Sequence, residues 1–70
     1  MKNLLHKKVK IKENLLVDEF YGGLRFHNGM NKFKGKVTVV SHIPHYCVYA
    51  YNLNDCEGYD FTEEMLEIIE

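Results

Sequence analysis

The chain has no Lys or Arg after Lys36, a single proline, two cysteines and no long apolar run. Each shortage excludes something. Two cysteines, Cys47 and Cys56, are too few for a disulfide framework, and free thiols are the expectation. No segment approaches the roughly 18 consecutive apolar residues of a membrane span. The start, from Met1 to Lys8, carries two leucines but no apolar run of signal-peptide length, so a cytosolic (cytoplasmic) protein is expected. At 70 residues the chain can hold one core and no second domain, and residues 1–70 read as a single domain. A domain this small buries only about 60% of the surface its unfolded chain exposes, which leaves no room for a separate cofactor domain.

Constellations that carry chemistry are equally scarce. His42, His45, Cys47 and Cys56 are zinc-ligand types, but structural zinc takes its ligands in close pairs joined by a tight turn. Here Pro44 separates them, so two hairpin-end histidines beside a buried thiol is the simpler reading and no metal is expected. Cys47 lies in an apolar alternating run and reads as a small core residue. Cys56 sits in a polar stretch and is expected to be exposed, with Asp55 and Glu57 raising its pKa and weakening it as a nucleophile. Gly22-Gly23 lacks the Lys-Ser/Thr and helix start of a phosphate loop. Asp60, Glu63 and Glu64 are explained as acids favoured at the start of a helical turn. Neither an enzyme nor a cofactor is expected.

What is present is segregated charge and many aromatics. All nine bases fall in the first 36 residues against three acids, a formal +6, whereas the remainder holds seven acids and no base, a formal −7. Such halves either form two electrically distinct surfaces or pair with each other across a sheet.

Lys8-Val9-Lys10-Ile11-Lys12 alternates strictly and predicts a half-buried strand with Val9 and Ile11 inward. A long loop anchored by Leu15, Leu16 and Val17 should follow. The Gly22-Gly23 pair then turns the chain before a strand holding Leu24 and Phe26. Met30 and Phe33, three apart, fit a short helical turn over one end of the core. Lys36 to Ile43 is dense in β-branched residues and predicts the next strand, which Pro44 ends. A strand from His45 to Tyr51 completes a hairpin with a short loop near Pro44. Gly58 to Phe61 predicts a short strand, and Thr62 an N-cap for a helical turn. Residues 66–69 either extend that helix or close the sheet, and the closing strand is favoured because a small barrel must seal its edges. Together these elements predict an all-β, SH3-like small barrel of about five strands, with one short helical turn near the C-terminus.

Particular residues extend the likeness. Lys8-Val9-Lys10-Ile11-Lys12 leads through a loop to Tyr21-Gly22-Gly23-Leu24-Arg25-Phe26. Met30 follows, then Gly35-Lys36-Val37, then the ending Phe61-Thr62-Glu63-Glu64-Met65-Leu66-Glu67. Over residues 7 to 67 this resembles a group of small SH3-like-barrel proteins from phages and prophages of low-GC Gram-positive bacteria. The group often has a Trp before that Thr. This chain has Phe61 there and no Trp at all, so no aromatic binding role is carried over to Phe61. The resemblance implies the fold and a viral setting, in the cytoplasm of a bacterial host, and brings no activity with it.

Two functional readings follow. The first is a non-enzymatic phage or prophage accessory protein that binds a host factor, either an immune (anti-phage defence) effector or its small signalling ligand. Nine aromatics exceed what so small a core requires. Tyr21, Tyr49, Tyr51 and Tyr59 are the candidate binding residues, because tyrosine buries area at low entropic cost. Alternation puts Val48 and Ala50 in the core and makes Tyr49 and Tyr51 an exposed pair. A solvent-facing pair that only stabilises the sheet is the plainer alternative. The second reading is a nucleic-acid-binding barrel that uses Lys8, Lys10 and Lys12 as a basic stripe. Arg25 would join from an adjacent strand, with Tyr21 as a stacking platform. Its plainer alternative is that the lysines guard an exposed strand edge.

Overall fold

The alternation in Lys8-Val9-Lys10-Ile11 becomes strand β1 (Lys8–Ile11), with Val9 and Ile11 fully buried. In the computed structural model of the protein, which describes residues 4–45 and 50–69, six strands follow it. They are β2 (Phe20–Tyr21), β3 (Leu24–Arg25), β4 (Val37–His42), β5 (Ala50–Leu53), β6 (Asp60–Thr62) and β7 (Leu66–Ile68). Two short 3-10 helices, η1 (Asn28–Phe33) and η2 (Glu63–Met65), are the helical elements among the described residues. Five strands make one curled antiparallel sheet in the order β6-β5-β4-β1-β7, while β2 and β3 pair separately as a hairpin. The fold is therefore the expected all-β, small barrel-like class, with the helical turn before its last strand; residues 66–68 form a strand beside β1 as expected, but as the edge of a half-barrel and not as its seal. No helix among the described residues is long and apolar enough to cross a membrane.

Local chemistry sets the turns. The hairpin loop is Gly22-Gly23, with φ of 62° and 93°. Two positive φ values are what a two-residue hairpin loop requires if its twist is to match the strands. The helix η1 begins at His27, whose Nδ1 accepts the Gly29 N–H at 2.9 Å and whose own N–H donates to the Met30 sulfur. Met30 and Phe33 are buried under it, as their spacing predicts. Pro44 lies beyond the end of β4, which pairs with β5 through an irregularity between Val40 and His42.

The core gathers Val9, Ile11, Phe26, Val40, Tyr51, Phe61 and Met65 with their neighbours. Full burial of each large apolar side chain contributes about 1.5–3 kcal/mol.

Several expectations need correction. Strand β1 lies between β4 and β7, so its lysines guard no edge. Cys56 is fully buried. Removal from water is the main cause that pushes its thiol pKa up; Lys36 opposes the shift, and Asp55 and Glu57 add to it. Thr62 stands at the N-cap of η2 but makes no capping bond; its hydroxyl donates instead to the Tyr21 carbonyl at 2.7 Å, tying the hairpin to the sheet. Leu16, counted as a loop anchor, is 63% exposed, while Leu15 carries that role at 1%.

Candidate functional site

The sheet ends at β6 and β7, and a groove of about 500 Å³ opens between elements near those ends. Its apolar floor is Leu66 and Ile68 of β7 with Tyr51 of β5. Thr62, Glu63 and Glu64 line it from the β6–η2 corner, Gly22 from the hairpin tip, and Lys12 from the residue after β1. Strand β7 supplies alternate residues to the groove because Leu66 and Ile68 share a face, the face that also holds Val9. The arrangement is an apolar trough with carboxylates and one ammonium in its lining.

The candidate tyrosines scatter. Tyr51 is 2% exposed and pairs with Phe61 across β5–β6, so the exposed Tyr49–Tyr51 pair is corrected at Tyr51. The alternation was read with one wet face, but Ala50 and Thr62, which face the other way, are buried as well. Tyr49 lies outside the described residues, as do Tyr46, Cys47 and Val48. Tyr21 is half-buried, edge-on to Phe26 at 6.5 Å, and its hydroxyl accepts the Leu16 N–H at 2.9 Å. Tyr59 stacks on His27 at 5.9 Å and tilts against Phe33 at 6.3 Å. Tyr21 thus ties the long loop to the β2–β3 hairpin, and Tyr59 packs η1 against the turn before β6; among the described tyrosines, Tyr51 is the one that borders the groove.

The basic residues scatter too. Lys8 and Lys10 share the outer face of β1, and Lys12 lines the groove. Lys10 bonds Glu13 at 2.9 Å and lies opposite Glu67 on β7. The hydrogen bond and charge of Glu13, with a smaller part from Glu67, hold the Lys10 pKa above its usual value, and Lys10 correspondingly lowers Glu13. Arg25 sits on the separate hairpin, 3.8 Å from Asp18, and not on a strand adjacent to β1. Basic and acidic segments thus pair across the sheet at Lys10–Glu67, one of the two arrangements the charge segregation allowed. Titrating labelled single-stranded and duplex oligonucleotides at two salt concentrations should therefore show no binding at the lower salt. A complex that weakens steeply with salt and disappears on reversing Lys8 and Lys10 would restore the nucleic-acid reading.

Most of the groove was missed by reasoning from sequence. Lys12, Gly22, Tyr51 and the stretch from Thr62 to Ile68 are far apart in the chain, and no local spacing signals their approach. The one available signal was that the last strand of a barrel with open ends presents an edge. No family model, curated protein or solved structure matches the chain.

Proposed function

We propose that the protein is a non-enzymatic binding module that engages a protein partner through the groove beside β7. The observation that carries this reading is the trough itself, with an apolar floor of Tyr51, Leu66 and Ile68 and charged residues at its margin. Concave sites of this size, mostly apolar with a few polar groups, are the usual places for ligands. The phage resemblance directs the reading to a host factor in the bacterial cytoplasm, an anti-phage defence effector or its signal.

The test compares the wild type with a Glu64→Lys/Ile68→Asp variant, two substitutions at exposed groove positions, as baits against bacterial host extract. Wild type should retain one stoichiometric partner and the variant at least 10-fold less of it, with circular dichroism confirming that both fold. Equal capture by both would remove the groove from the function. Capture by neither, with no effect on phage plating, would remove the host-factor reading.

A further inference from the structure

Strand β7 ends the sheet, and its pairing with β1 fixes which of its backbone groups face outward. The Lys12 N–H donates to the Met65 carbonyl at 2.9 Å, and the Ile69 N–H donates to the Lys8 carbonyl at 3.0 Å. These bonds flank Lys10 and Glu67, which are therefore the pair that exchanges ladder bonds between the two strands. The intervening residues, Leu66 and Ile68, turn their backbone groups away from β1. The Leu66 N–H is taken by the Glu63 carbonyl at the end of η2. The Ile68 N–H and carbonyl have no protein partner among the described residues. The Ile68 side chain is 43% exposed and lines the groove, so an unpaired peptide edge and an apolar trough adjoin.

Charge selects the occupant. On the outer face, the row Val37–Lys10–Glu67 runs across β4, β1 and β7 and stops there. Glu67 has a cation opposite it on one side and, among the described residues, no strand on the other. Opposite charges placed directly across two strands attract, and like charges repel. A residue opposite Ile68 falls instead on the face of Leu66 and Tyr51, where an apolar side chain gains burial.

We propose that the groove receives an extended peptide segment that adds a sixth strand to the free edge of β7, with an apolar residue opposite Ile68 and a basic residue opposite Glu67. Main-chain bonds to Ile68 supply the pairing, and the alternation of apolar and basic side chains supplies the selectivity. This rests on the reading of the groove as a protein-binding site. It goes further in naming the binding mode and the partner's chemistry.

The probe is a capped seven-residue peptide of alternating Val and Lys, with a Val and Glu peptide of equal length as its counterpart. Both are titrated into isotopically labelled protein and followed by amide shifts and hydrogen exchange. The Val/Lys peptide should shift the Ile68 amide and slow its exchange at least 10-fold at saturation, while the Val/Glu peptide does neither. Glu67→Gln should weaken the Val/Lys complex several-fold. Ile68→Pro should abolish it, since it deletes an outward N–H that serves no bond within the sheet. Should that variant fail to fold, exchange at Ile68 in the wild type decides the matter unaided. Unchanged Ile68 exchange in the complex, or equal binding of both peptides, would overturn strand addition. The groove reading fails separately: a host partner lost by Glu64→Lys/Ile68→Asp but kept by Ile68→Pro leaves that reading standing and refutes strand addition alone.

Discussion

Gly22→Ala is expected to destabilise the protein by about 2–4 kcal/mol, a drop in unfolding midpoint of roughly 10–25 °C for a domain of this size. Two effects add. Gly22 has φ of 62°, where a Cβ meets the following carbonyl and costs about 1–2 kcal/mol. That Cβ would also lie 2.9 Å from both Cβ and Oγ1 of Thr62. Thr62 cannot yield cheaply, because its Cβ is fixed to the backbone of β6 and its hydroxyl holds the Tyr21 carbonyl. Gly58→Ala is the internal control: φ there is 76°, but nothing lies within 4 Å of the new Cβ. It should show the backbone strain alone, about 1–2 kcal/mol. Thermal unfolding of both variants separates the terms, and equal losses would mean that the hairpin tip does not press on Thr62.

The same contact shows where reading from sequence succeeds and where it stops. Strand β1 and helix η1 were legible because each is set by a local period, two for Lys8 to Lys12 and three for Met30 and Phe33. That residues 66–68 form a strand was legible, but the reason given for it was not met: β7 pairs with β1 and leaves its other side as an edge instead of sealing one. Tyr51 and Cys56 were misread for a shared reason. Alternation assigns one face to water, and polarity of neighbours assigns a loop to the surface, yet both residues lie where a second layer covers the expected wet side. For β5–β6 the face of Tyr51 packs into the core with Leu53 and Phe61, and the β2–β3 hairpin bonds to Thr62, on the opposite face, from 41 residues away in sequence. The turn that buries Cys56 also has Asp55 and Glu57 at positive φ, 59° and 56°. Asp and Glu at such angles carry no sequence signature comparable to glycine. The groove was illegible for the same reason at larger scale, since its floor and rim come from four separate segments.

Gly29→Ala should destabilise the protein by about 1–3 kcal/mol, although intrinsic helix propensity alone would favour it by up to about 1 kcal/mol. The sign is decided by Tyr59. A Cβ at Gly29 overlaps the Tyr59 hydroxyl and approaches its Cζ to 2.8 Å. The hydroxyl is the far end of a long side chain, but the ring is not free to swing, being held against His27 on one side and Phe33 on the other. Displacing it opens the contact between η1 and the turn that precedes β6. In a Tyr59→Ala background the obstacle is gone, so Gly29→Ala should become neutral or stabilising there. The double-mutant cycle should then give a coupling of about 2 kcal/mol, well above the 0.3–0.5 kcal/mol within which independent sites add. Urea unfolding of the four proteins measures it, and a coupling within that additive range would show that the ring moves aside without loss. The cycle also bears on function, because Tyr59 was a candidate binding residue. A Tyr59→Ala protein that is less stable yet captures the same host partner places this ring in the contact between η1 and the turn before β6. Undiminished stability with lost capture would return it to the binding surface.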